Sequence, residues 1–220
     1  MSSARQPTTR VAVVEDHQLY REMLVASLMG EPSVTVSVVA AGAQEARARI
    51  APGAVDVALL DVDLPDGNGV ALGVQLRRRD PDVAVMLLSA QDVLALLLDM
   101  PADVRRGWSY LSKSSALSTA DLVRALHATA EGRTVLDAEL VRRARPRRAS
   151  SLEQLSPRQR EVLRLVATGM SNSAVGAELG ISTHSVENHL SGIYTMLHLP
   201  ADQNPRVAAV LRFIEETSRD

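Results

Sequence analysis

The chain is predicted to be an α/β protein: a five-stranded, doubly wound parallel sheet followed by a small all-α helix-turn-helix domain. Three observations predict it. Over residues 10–131, five short apolar runs alternate with amphipathic stretches. At 132–151 the alternation gives way to arginine, proline and small polar residues without a sustained period. From 155 onward the apolar spacing is helical throughout. A chain of 220 residues, 46% hydrophobic, can bury a core in each of two domains.

The apolar runs are 11–14, 34–39, 55–60, 83–88 and 108–111. Most are nearly continuous in Val, Leu and Ala, as strands buried on both faces are. The VTVSVV run alternates and is expected nearer an edge. Helices are expected at 17–29, 43–51, 68–79 and 118–131. The last opens with Ser118 and has Asp121 three residues on, the outline of a capping box. Strand–helix units of this length close into a parallel sheet covered on both faces, with the working site outside the strands' carboxyl ends.

Residues 132–151 are read as a linker, arginine-rich at 141–150, and residues 1–9 as a flexible N-terminus. Beyond them Ser156, Pro157 and Gln159 start a helix that Gly169 stops. A short helix carrying Ala174, Val175 and Leu179 ends at Gly180. Val186, Leu190, Ile193 and Leu197 then form one apolar stripe, and Val207, Val210, Leu211 and Ile214 form another. Two helices joined by a tight LGIS turn make a helix-turn-helix, whose second helix normally enters the major groove of DNA.

Composition sets limits. There are no cysteines, which excludes disulfides and thiolate metal sites. MSSARQPTTR lacks the apolar segment of a signal peptide, and no run approaches the ~20 apolar residues that span a bilayer. A cytoplasmic protein without a membrane partner is expected. Residues 141–150 carry five arginines and no acid, while 151–220 carry six cations and eight anions.

Lysine occurs once, at Lys113, among 24 Lys and Arg residues. A chain that otherwise uses arginine for every positive charge suggests a site needing a compact ammonium there. Lys113 follows an apolar run, and the other strand ends offer Glu15 and Asp16, Asp61, and Ser89. Phosphoryl transfer to a carboxylate brings negative charge onto an anion. A hard cation such as Mg2+, held by few protein oxygens, offsets that charge. An ammonium and a hydroxyl can bind the phosphoryl oxygens. Each residue alone is more often a solvated turn or a salt bridge; their arrangement at successive strand ends carries the argument.

This half resembles the receiver domain, a flavodoxin-like fold, of two-component response regulators over roughly 10–131. The string LLDVDLPDGNG carries the resemblance most specifically. It implies Asp61 as phospho-acceptor, with Glu15, Asp16, Asp61 and the backbone carbonyl of Asp63 as metal ligands. It also implies Ser89 and Tyr110 as switch residues and Lys113 as the phosphoryl contact. The donor would be a sensor histidine kinase or a small acyl phosphate. The segment between Ser89 and Lys113 departs from the pattern: it lacks the usual Gly-Ala pair and inserts Met100-Pro101, which should end the fourth helix early. Asp63 places a second acid two residues past the acceptor.

Residues 152–214 resemble the LuxR/NarL-type DNA-binding domain, within a C-terminal domain placed at 152–220. The resemblance implies a recognition helix starting at Ser182 and Thr183, with Thr183, His184, Glu187, Asn188 and Ser191 toward DNA. Arg158, Arg160 and Arg206 would contact phosphates. Ser173, Glu187, Ser191 and Met196 stand where the family often has lysine. The 141–150 arginines are read first as a solvated tether and second as phosphate contacts. The whole implies a homodimeric transcription factor of the NarL/FixJ type on double-stranded DNA, controlled by phosphorylation, and not a conventional enzyme. Two other readings are a phosphorylation-independent regulator and a phosphatase using Asp61-Val62-Asp63 as a D-x-D signature.

Overall fold

The structure is a computed structural model that describes residues 8–90, 108–200 and 203–218. Met100-Pro101 and most of the irregular stretch after Ser89 lie outside those residues.

Five parallel strands form the sheet: β1 (Thr9–Val14), β2 (Val34–Ala40), β3 (Val57–Asp61), β4 (Ala84–Ser89) and β5 (Trp108–Ser112). Their order is β2-β1-β3-β4-β5. The order in which the chain adds strands reverses between β1 and β3, and a ligand crevice is expected there at the carboxyl edge. The alternating β2 run is an edge strand, as its sequence predicts, and exposes Thr35 and Ser37.

The continuous apolar runs serve two faces at once. Val11, Val13, Val57, Leu59, Met86 and Leu88 pack on one side with Leu24 and Leu28 of α1 (Gln18–Met29) and Leu122 and Leu126 of α4 (Thr119–Ala130). Ala12, Val14, Ala58, Leu60, Val85 and Leu87 pack on the other with Ala43 and Ala46 of α2 (Ala43–Arg49) and Leu72 and Leu76 of α3 (Gly69–Arg79). Side chains alternate faces along a strand, so both phases of each run must be apolar. Gly73 of α3 fits Trp108: a Cβ there would stand 2.5 Å from the ring.

Caps set the helix starts. His17 caps α1 rather than opening it, its Nδ1 accepting from Tyr20 N–H. Asn68 caps α3 through bonds from the N–H groups of Val70 and Ala71. Ser118 accepts from Asp121 N–H as expected, but the Asp121 carboxylate pairs with Arg124 instead of closing a box.

The segment read as a linker has more structure than its composition suggests. Asp137 caps a helix, α5 (Ala138–Arg143), whose Val141 is buried. Arg145-Pro146 then pairs antiparallel with Thr217-Ser218. A tether with no local period thus gains order from a partner some 70 residues away, which no sequence window contains.

The C-terminal part is helical: α6 (Pro157–Ala167), α7 (Asn172–Leu179), α8 (Thr183–Met196) and α9 (Pro205–Glu215). The expected capping box of Ser156 and Gln159 opens α6, with Pro157 in its first turn. Gly180 ends α7 at φ 65°, the left-handed conformation that permits the tight turn into α8. Val186, Leu190, Ile193 and Leu197 are all buried. Among the described residues, no helix is long and apolar enough to cross a membrane.

Candidate functional site

The parallel register brings the polar strand ends together. Asp61, the last residue of β3, pairs with Leu88, and Ser89 at the end of β4 pairs with Ser112. The Lys113 N–H donates to Ser89 O at 2.9 Å, which carries the β5 ladder one step further and turns the lysine over the sheet edge. Its ammonium lies 2.9 Å from Asp61 Oδ2 and 2.9 Å from each Glu15 oxygen. Glu15 and Asp61 are buried, and Lys113 is about a quarter exposed.

Glu15, Asp16 and Asp61 place carboxylate oxygens within 4.8 Å of one another. The Lys113 ammonium bonds two of these three carboxylates, Glu15 and Asp61, so acids outnumber the ammonium at the site. Glu15 Oε2 is buried and, apart from the ammonium, has no hydrogen-bond partner. That donor set of hard oxygens with unbalanced charge fits a divalent ion of the Mg2+ type.

The charges act on one another. Burial pushes the Glu15 carboxyl up, and the Asp61 charge adds to this; the Lys113 ammonium and the His17 N–H oppose it without cancelling it. For Lys113, burial pulls downward, but hydrogen bonds to Glu15 and Asp61 outweigh it and hold the ammonium above its ordinary value.

The loop after β1 is fixed from outside the site. Arg21 donates to the carbonyls of Glu15 at 2.6 Å and Asp16 at 3.0 Å. On the other side, α3 starts close beneath the acceptor strand: a Cβ on Gly69 would stand 2.0 Å from Asp61 O. The Asn68-Gly69 pair therefore combines a cap with the only residue that fits. Asp63 is exposed; its N–H reaches Asp61 Oδ1 at 3.4 Å, and its carboxylate is outside the acidic group. Ser89 is buried at the end of β4. Tyr110 stands deeper in β5, opposite Leu87, with its side chain in the core.

Sequence reading missed Tyr20. Its hydroxyl donates to Lys113 O at 2.9 Å and its ring centroid is 5.1 Å from the ammonium. Burial raises the phenol, as do the Glu15 and Asp61 charges, so it stays a neutral donor. An aromatic in the first turn of a helix carries no sequence signal for a contact 93 residues away.

In the C-terminal domain Thr183, His184, Glu187, Asn188 and Ser191 are all exposed along α8. His184 Nδ1 lies 3.9 Å from Glu187. The three arginines are partly engaged. Arg158 bonds Glu161 at 2.7 Å and Leu179 O at 2.8 Å, Arg160 bonds Leu155 O, and Arg206 bonds Asn172 at 2.8 Å and Met170 O. A guanidinium carries five donors, so these bonds leave N–H groups unspent.

The chain is similar to known proteins over both halves. Residues 11–132 match the response regulator receiver domain, and residues 153–205 match the luxR family of bacterial regulatory proteins. The chain is 32% identical over 216 residues to the probable transcriptional regulatory protein NarL of Mycobacterium tuberculosis, covering 96% of this chain and 98% of that one. It is 30% identical over 194 residues to the DNA-binding transcriptional activator DevR/DosR of the same organism, covering 86% of this chain and 88% of that one. The solved RcsB response regulator of Salmonella typhimurium has a TM-score of 0.50 at 21% identity, over 94% of this chain and 98% of that one, a likeness of fold alone. With a receiver match over more than half its length and a relative above 30% identity along nearly all of it, the chain belongs to the response regulators that join a receiver domain to a LuxR-type DNA-binding domain.

Proposed function

We propose that Asp61 accepts a phosphoryl group from a sensor histidine kinase or a small acyl phosphate, and that this controls dimerisation and DNA binding by the C-terminal domain. The observation that carries the reading is the buried Asp61 carboxylate, 2.9 Å from the only lysine and beside two further acids. An Asp61 oxygen forms the new P–O bond as the bond from phosphorus to the donor's nitrogen or acyl oxygen breaks, and the leaving group keeps the electron pair. Lys113 pairs with the transferred group, and the Ser89 hydroxyl donates to one of its oxygens. Glu15, Asp16, Asp61 and the Asp63 carbonyl would hold Mg2+. Bound there, the ion would offset the charge that gathers as two anions approach. Tyr110 acts as the aromatic switch residue. Apart from assisting its own phosphotransfer, the protein is not an enzyme.

Thr183, His184, Glu187, Asn188 and Ser191 read bases from the exposed face of α8, while Arg158, Arg160 and Arg206 contact phosphates. A relative named as a DNA-binding transcriptional activator supports the DNA assignment. Two recognition helices read paired half-sites, so a homodimer is the active form. The test measures DNA affinity and oligomeric state before and after incubation with acetyl phosphate and magnesium. Tighter binding as a dimer, with two-fold protection, is expected. A monomer on a single half-site, with affinity indifferent to phosphorylation, would refute the reading.

A further inference from the structure

Asp137 is a buried carboxylate beyond the receiver match, which ends at 132. Its Oδ2 accepts from the Ser112 N–H at 3.0 Å and the Ser112 hydroxyl at 2.8 Å. Its Oδ1 accepts from the N–H groups of Glu139 at 2.9 Å and Leu140 at 3.3 Å, which caps α5. Burial alone would raise this carboxyl, but hydrogen bonds from Ser115, Ser112 and the Leu140 N–H hold it below the ordinary range. Ser112 is the residue before Lys113 and the register partner of Ser89. The carboxylate therefore grips β5 one residue from the ammonium that binds Asp61.

Residues 133–137 form a strap along the free edge of β5. Tyr110 N–H donates to Val135 O at 2.7 Å. The buried Ser109 hydroxyl accepts from Val135 N–H at 2.9 Å and from Thr129 at 2.7 Å. The other side of the strap holds the DNA-binding domain. Leu136 N–H donates to Ala167 O at 2.8 Å at the end of α6, and Arg133 donates to Gly169 O at 2.5 Å. Gly169 fits against Val135 so closely that a Cβ would stand 2.6 Å from that side chain.

Building on the assignment of Asp61 as acceptor, we propose that Asp137 is a positioning residue: it fixes the Ser112–Lys113 end of β5 from outside the receiver and couples the acceptor pocket to the DNA-binding domain through the 133–137 strap. A phosphoryl group on Asp61 redirects the Lys113 ammonium. The adjoining Ser112 N–H then either carries Asp137 with it or loses it. Both outcomes disturb a strap bonded directly to the end of α6. Coupling of this kind is reciprocal, so holding the strap also sets how readily the pocket is phosphorylated.

The substitution Asp137→Asn separates the two jobs of the carboxylate. Asparagine caps a helix as well as aspartate does. Its amide nitrogen, however, presents a donor toward the Ser112 N–H, which can only donate. Full-length wild type and Asp137→Asn are compared by circular dichroism, by the rate of Asp61 labelling with acetyl phosphate and magnesium, and by the ratio of DNA affinities with and without phosphorylation. The variant is expected to keep its helix content, to label at a rate changed by about fivefold or more, and to show a ratio falling toward one. A folded variant with the wild-type rate and ratio would overturn the proposal and leave the function intact. If Asp137→Asn does not fold, Ser112→Ala, which removes one donor and leaves the cap, decides by the same two readouts. If wild type itself never labels, the assignment of Asp61 fails, and this proposal with it.

Discussion

Lys113 Nζ and Asp61 Oδ2 lie 2.9 Å apart, although 52 residues separate them in sequence. The pairing follows from parallel topology: β3 and β5 flank β4 and end at the same edge, so their terminal residues must converge. The same ammonium also pairs with Glu15, which is fully buried.

Lys113→Ala therefore leaves a buried carboxylate beside a second one with no cation. Breaking a fully buried pair costs about 3–5 kcal/mol. Lys113 is partly exposed, so a loss of about 1–3 kcal/mol is expected after screening. Urea unfolding with and without magnesium measures it, and the ion should recover part of the loss. An unchanged midpoint in both buffers would show that the pair does not form.

Gly73→Ala tests the packing of α3 on Trp108. Alanine gains up to about 1 kcal/mol of helix propensity. The new Cβ would stand 2.5 Å from the indole, and overpacking of that kind costs about 1–3 kcal/mol. Thermal unfolding should show net destabilisation and a changed tryptophan emission from the only indole in the chain. A stabilised variant would mean the ring sits elsewhere.

Asp56 provides a pH test away from the site. Its burial raises the carboxyl, but bonds from the Arg10 side chain at 2.7 Å and the Arg10 N–H at 2.7 Å bring it below the ordinary range. A depressed folded value means the stabilisation is present above the unfolded value and is lost as pH falls through the folded one. The gap between wild type and Asp56→Asn should thus be open at neutral pH and close in acid. A gap independent of pH would contradict the pairing.

Glu187 is exposed on α8, where the family often has lysine. Glu187→Lys should tighten binding to all DNA sequences and steepen the log–log salt dependence by roughly 0.9. If Glu187 accepts from a cytosine amino group, Glu187→Gln should cost about 1–3 kcal/mol on the operator alone. No change from either substitution, on any DNA, would move the recognition surface off this face.

Much of this was legible in the sequence because the signals are local. Continuous Val-Leu-Ala runs gave strands buried on both faces, and the alternating VTVSVV run gave the edge strand. The carboxyl-edge rule places Glu15, Asp16, Asp61, Ser89 and Lys113 together at one edge of the sheet. What escaped has no local period. The strap at 133–137 is held by side-chain bonds to Ser109 and Ser112, and Arg145-Pro146 takes its partner from the far end of the chain. Tyr20 and Arg21 look like ordinary helix residues until the fold sets them against Lys113 and the acidic loop.

The most direct test of the central claim is the intact mass of wild type and Asp61→Asn after incubation with acetyl phosphate and magnesium. Wild type should gain a single phosphoryl adduct, Asp16→Asn far less, and Asp61→Asn none. An adduct that persists in Asp61→Asn, or a wild type that never labels with any donor, would contradict the account.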